Sequence, residues 1–118
     1  MNHVKTFFEE LYKNFNERNI DAVVAHTTED VKWANGMEGG YVYGHSGLKD
    51  YWTRQFTLIN PKVTPSEVSV DGENAKIKIH QIVHDLNGHL LQDKKLFHHF
   101  HMHHNKIDRF EIGDEIAD

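Results

Sequence analysis

The side chains here best able to move a proton are histidines. The chain has 11 of them in 118 residues, several within the run Phe97–His104, FHHFHMHH. An imidazole with an ordinary pKa changes charge near neutral pH, so histidine is a natural acid–base group. On a strand, alternate residues face opposite sides. His98 therefore shares a face with Leu96, Phe100 and Met102, while His99, His101 and His103 share the other. A histidine among apolar neighbours must find a partner or stay neutral. Asp114, at the end of the following strand, is placed to orient it. The expected pair is His98 with Asp114, titrating between about pH 5 and 8 and acting as acid and base. The plainer alternative is a core-edge histidine bonded to a backbone carbonyl, with Asp114 in solvent.

A second group of residues suits a ligand. Tyr12, Trp33, Tyr51, Trp52, Phe56 and Phe100 are large and flat, some with a polar tip. Such side chains line small-molecule sites, although most of a helical stripe of this kind is core packing. Asn35 and Gln55 are the polar residues expected beside them, as possible hydrogen-bond partners for a ligand. His99, His101 and His103 recur at alternate positions about 6.8 Å apart along their strand. Three imidazoles without a carboxylate or an enforced geometry are a modest metal signal, so no metal and no cofactor are expected. There is no phosphate-binding glycine loop, nucleophile elbow or zincin motif.

These side chains must be positioned by helices and strands whose periods are legible. Val4, Phe7, Phe8, Leu11, Tyr12 and Phe15 fall at helical spacing. A short second helix follows Asn19, whose side chain is a candidate cap. Leu48, Tyr51, Trp52, Gln55, Phe56 and Ile59 repeat the first helix's spacing. That third helix is expected to be capped by Ser46 and closed before Pro61. Short strands are expected at 31–35 and 41–43. After Pro61 the period becomes two, with strands expected at 62–70, 75–86, 89–104 and 106–113. Asn87-Gly88 is a strong hairpin signal. As a two-residue turn, it makes paired positions sum to 175 and sets His98 opposite Ile77. The face carrying Ile77, Ile79, Val83, Leu96, His98, Phe100 and Met102 is then the core face. Ile82 and Phe97 lie on the opposite face among histidines, and their exposure there would mark an interface between two copies.

The chain length fits one domain, residues 1–118. Cysteine is absent, which excludes disulfide scaffolds and thiolate zinc sites. The net charge of −5 argues against a nucleic-acid partner. No apolar run is long enough to span a membrane, and the acidic opening MNHVKTFFEE is unlike a signal peptide. A soluble, cytoplasmic protein is expected.

Three segments carry a resemblance to a known group: FFEELYKNFNERNIDAVVAHTTEDVKW, GHSGLKDYW and HNKIDRFEIGD. With their order of elements, they resemble the nuclear-transport-factor-2-like superfamily over residues 3–114. That superfamily includes ketosteroid isomerases and SnoaL-type polyketide cyclases. The resemblance implies an α+β fold shaped as a cone, with three N-terminal helices packed on a curved, mostly antiparallel sheet. It also implies a pocket at the wide end and a homodimer. The ketosteroid isomerase roles fall near Leu11, at Asn35 and at His98, and none matches, so steroid isomerisation is not expected. SnoaL-type cyclases place acid–base work near the end of the last strand, where Asp114 lies. The expected function is a pocket for an apolar or mixed-polarity organic ligand. It would serve a cofactor-free isomerase, cyclase or dehydratase, or else a binding or dimerisation module without catalysis.

Overall fold

A computed structural model describes residues 2–117. The elements run α1 (Asn2–Asn16), α2 (Ile20–Val24), β1 (Thr27–Ala34), β2 (Tyr41–Tyr43), α3 (Gly44–Phe56), β3 (Ile59–Asp71), β4 (Asn74–Asp85), β5 (Leu90–His103) and β6 (Lys106–Ile116). The six strands form one mixed sheet in the order β2-β1-β6-β5-β4-β3. All neighbours are antiparallel except β1 and β6, which run parallel. The architecture is α+β, and α3 enters after the first two strands rather than with the opening helices.

The helical stripes bury as their spacing predicts. Phe8, Leu11 and Tyr12 of α1 and Leu48, Tyr51 and Trp52 of α3 are all buried. Helix α1 is tied to the edge strand by one side chain. Asn16 Nδ2 donates to the Val63 carbonyl at 2.8 Å, and Val63 N–H donates to Asn16 Oδ1 at 2.9 Å. This two-bond clamp satisfies backbone groups of a strand with no neighbour on that side. Both prolines of β3 are tolerated because that strand is an edge. The expected caps differ. Asn19 precedes α2 but makes no capping bond, and α3 begins at Gly44, so Ser46 lies inside the helix.

The hairpin register is as expected over Ala75–Val83, with Ile77 opposite His98 and Ile79 opposite Leu96. The turn itself is longer than two residues. Asp85 N–H donates to the His89 carbonyl at 2.9 Å across Leu86, Asn87 and Gly88. An extra residue, Leu91, then bulges out of β5 and restores the sum of 175. Further bulges interrupt the β3–β4 and β5–β6 ladders. Each bends its strand, and together they curve the sheet around the helices.

On the outer face, Ile82 and Phe97 are half-buried rather than exposed. The Lys76 ammonium sits 4.1 Å from the Phe97 ring centroid and covers it. Long basic side chains can shield an apolar neighbour in this way.

Candidate functional site

Between the helices and the inner face of the sheet lies a cavity of about 480 Å³. That volume is in the range of small-molecule sites. Leu11, Tyr12 and Phe15 of α1 contribute one wall, and Tyr51, Trp52 and Gln55 of α3 another. Trp33 of β1 stacks on Phe110 of β6 at 4.3 Å and meets Trp52 edge-on at 5.2 Å. The sheet side includes Val83, Leu96, His98 and Phe100.

His98 and Tyr12 are the polar centre of this space. The Tyr12 hydroxyl and His98 Nδ1 are 2.8 Å apart. His98 is 8% exposed and Tyr12 5%. Aromatic rings crowd the imidazole, with Phe110 edge-on at 4.8 Å and Phe100 at 6.2 Å. Burial raises the Tyr12 pKa well above its ordinary value, so the phenol keeps its proton. Burial, with a smaller contribution from the neighbouring His99, pulls the His98 pKa down to about 3. His98 is therefore neutral throughout the physiological range. The arrangement that gives the Tyr12 hydrogen an acceptor has Tyr12 O–H donating to Nδ1, with the ring hydrogen on Nε2. Nε2 has no partner among the described residues.

The expected partnership of His98 with Asp114 does not form. His98 pairs across the ladder with Ile112, and Leu96 pairs with Glu115. Gly113 and Asp114 thus stand together opposite Phe97 alone, in a bulge. Asp114 is exposed and does not line the cavity. Strict alternation would have kept Asp114 on the His98 face, and the bulge breaks it. Titration of His98 between pH 5 and 8 fails for a related reason. No carboxylate lines the cavity among the described residues, so nothing offsets desolvation.

The structure brings Tyr12, Trp33, Tyr51, Trp52, Gln55, His98 and Phe100 onto one lining. Asn35 and Phe56 do not join it. Asn35 lies just beyond β1, and its Oδ1 accepts N–H bonds from Met37 at 3.0 Å and Glu38 at 2.9 Å. That turn presents Gly36 N–H to the Tyr51 hydroxyl at 3.1 Å, so Asn35 shapes the wall indirectly. Phe56 turns away to pack on Phe15 and under the Arg18 guanidinium, 4.3 Å from its ring centroid. Sequence reasoning missed the polar Gln81, Gln92 and Lys94, which also line the space. The parity that places Ile79, Val83, Leu96 and His98 inside reaches these three as well. Their polarity hides them in a pattern that marks the inner face by its apolar residues.

The outer histidines have other partners. His101 Nδ1 lies 2.6 Å from Asp108 Oδ1, and His80 Nε2 lies 2.6 Å from Asp93 Oδ1. The His99 ring crosses Gly113 so closely that a Cβ there would lie 2.5 Å from Nε2.

A curved mixed sheet with helices packed on its inner face around a cavity is the nuclear-transport-factor-2-like fold. Residues 8–110 match the SnoaL-like domain, and the chain belongs to that family. Solved structures agree on the fold. An NTF2-like protein of unknown function from Burkholderia pseudomallei superposes with a TM-score of 0.82 at 24% identity, covering 93% of this chain and 89% of that one. TerC, co-crystallised with polyporic acid, gives 0.80 at 24% identity over 96% of this chain and 89% of that one. SalBIII, an epoxide hydrolase/cyclase-like enzyme with a role in pyran ring formation in salinomycin, gives 0.72 at 20% identity over 92% and 88%. No curated protein matches the chain. No helix among the described residues is long and apolar enough to cross a membrane.

Proposed function

We propose that this chain binds a small, largely apolar organic molecule in the cavity and promotes a cofactor-free isomerisation, cyclisation or dehydration of it. The observation that carries this reading is the buried Tyr12–His98 pair among the aromatic residues of a cavity whose other polar lining groups include Tyr51, the amides of Gln55, Gln81 and Gln92 and the Lys94 ammonium. A neutral imidazole with Nε2–H free is a hydrogen-bond donor, and a protein keeps its histidine neutral when it is to polarise a carbonyl. Where a bound ligand displaces water from beside it, such a donor stabilises negative charge developing on a ligand oxygen far better than water does. His98 is thus a polarising group, and Tyr12 fixes its tautomer. Family membership supports the class of ligand, as do two structural neighbours: TerC with polyporic acid and SalBIII in ring formation.

The second reading, a binding module without catalysis, is favoured by one observation. The cavity lining holds no carboxylate to take a proton from carbon. Deuterium exchange separates the two readings without knowledge of the natural ligand. A probe ketone, 2-tetralone, in D2O should exchange its α-hydrogens faster with the wild type than with His98→Leu, with solvent water taking the carbon-bound proton while His98 Nε2–H holds the developing enolate oxygen. The acceleration should be flat from pH 5 to 8, because His98 stays neutral there. Saturable binding of the ketone with exchange at the background rate would identify a binder.

Association of two copies through the outer histidine-bearing face is part of the same proposal. Sedimentation should show a dimer, and Phe97→Lys or Ile82→Lys on that face should weaken it. A monomeric wild type, or a dimer unaffected by either variant, contradicts it.

A further inference from the structure

The helical wall of the cavity carries polar groups that the Tyr12–His98 pair does not engage. Gln55 is 9% exposed, yet its Oε1 is buried with no partner among the described residues. Buried polar atoms are rarely left in this state, and each such atom needs an explanation. The other end of the amide is engaged: Gln55 Nε2 donates to the Tyr51 hydroxyl at 3.2 Å. Tyr51 also accepts from Gly36 N–H at 3.1 Å. Its oxygen thus takes two bonds, and its own hydrogen has no acceptor among the described residues. Tyr51 and Gln55 lie one helical turn apart on α3, and both line the cavity. An unspent acceptor and an unspent donor therefore stand side by side.

We propose that Gln55 and Tyr51 form a hydroxyl-binding subsite, so that the ligand is an apolar molecule carrying an alcohol, phenol or enol group in addition to the oxygen that meets His98. This rests on the pocket reading above and deepens it. Once the Gln55 amide, whose Oε1 is buried, turns toward the cavity, a hydroxyl donates to Oε1 and accepts from Tyr51 O–H. Turning the amide end for end relaxes the requirement to an acceptor: Tyr51 then donates to Oε1, and the Gln55 NH2 group is left without an acceptor, which a hydroxyl or a carbonyl oxygen supplies. A methyl group satisfies neither arrangement. Such a subsite discriminates by leaving its own polar atoms unpaired when the wrong ligand enters.

Calorimetric titration with two near-isosteric probes, 2-naphthol and 2-methylnaphthalene, tests this. Wild type should bind the naphthol about five- to tenfold more tightly, the worth of one net hydrogen bond. Gln55→Met keeps the side chain's length and removes the amide. It should bring the two affinities together while leaving the melting temperature unchanged or higher, since an unsatisfied buried atom is gone. A preference that persists in Gln55→Met, or that is lost only in His98→Leu, places the hydroxyl elsewhere and overturns the subsite. A fall in melting temperature with the preference intact makes Gln55 structural and overturns it too. Equal binding of both probes by wild type defeats the subsite but leaves the pocket reading standing. Binding of neither defeats both.

Discussion

His98 and His99 are adjacent in sequence and opposite in circumstance. His98 faces the cavity, walled by aromatic rings, with a phenol as its one hydrogen-bond partner among the described residues. The outer face carries His80, His99 and His101 in contact with solvent, and two of these meet aspartates. The same side chain is thus a neutral donor facing the cavity on one side of β5 and a solvated imidazole on the other. The comparison shows that histidine count says little about chemistry. What matters is which parity sends an imidazole into a water-poor space, and what meets it there.

The sharpest way to break this contrast is acid. His98 has a folded pKa of about 3, and an unfolded histidine titrates near 6.5. Above about pH 6.5 the group is neutral in both states and has no effect on stability. Below that, the unfolded chain takes up the proton first, so stability falls as pH drops from 6.5 toward 3. The loss attributable to His98 is on the order of 3–6 kcal/mol. Urea unfolding of wild type and His98→Leu at pH 7 and pH 4 should show much of that difference as reduced acid sensitivity in the variant. Equal acid sensitivity in the two proteins would mean that His98 is not desolvated.

Removing the phenol is the next largest effect. Tyr12→Phe leaves His98 Nδ1 buried without a donor and should cost about 1–3 kcal/mol. Adding His98→Leu to Tyr12→Phe should recover part of that loss, because neither polar group is then stranded. Strict additivity in the double-mutant cycle would contradict the pairing. On the outer face, Gly113→Ala should cost about 1–3 kcal/mol, because its Cβ would lie 2.8 Å from the Phe97 carbonyl as well as against His99. His101→Ala should change stability least. Its contact with Asp108 is partly solvated, with side chains 39% and 30% exposed, and such pairs are worth about 0–1 kcal/mol. A larger loss at His101 than at Tyr12 would invert the contrast between the faces.

Parity made His98 legible in the sequence. Ile77, Ile79, Leu96 and Phe100 alternate so regularly that the inner face followed, and Asn87-Gly88 set the register. That register came out right although the turn is longer, because the Leu91 bulge offsets the extra turn residue. Asp114 was not legible. One additional residue opposite Phe97 turns it outward, and nothing in Ile112-Gly113-Asp114 distinguishes a bulge from plain strand except a glycine. Asn35 misled for a similar reason. Alternation with Trp33 pointed it inward, but β1 ends at Ala34 and the Asn35 side chain closes its own turn. Tyr12 was visible as a helix-stripe residue. Its bond to His98, 86 positions away, depends on how α1 crosses the sheet, which local periodicity does not encode.

The central claim is that His98 is held neutral, with its hydrogen on Nε2, by burial and by Tyr12. Nitrogen-15 NMR of the imidazole side chains across a pH titration tests it most directly. The account predicts that His98 keeps the pattern of a neutral Nε2–H tautomer from pH 8 down to about pH 4. A His98 midpoint between pH 5 and 7, or a hydrogen on Nδ1, would contradict it.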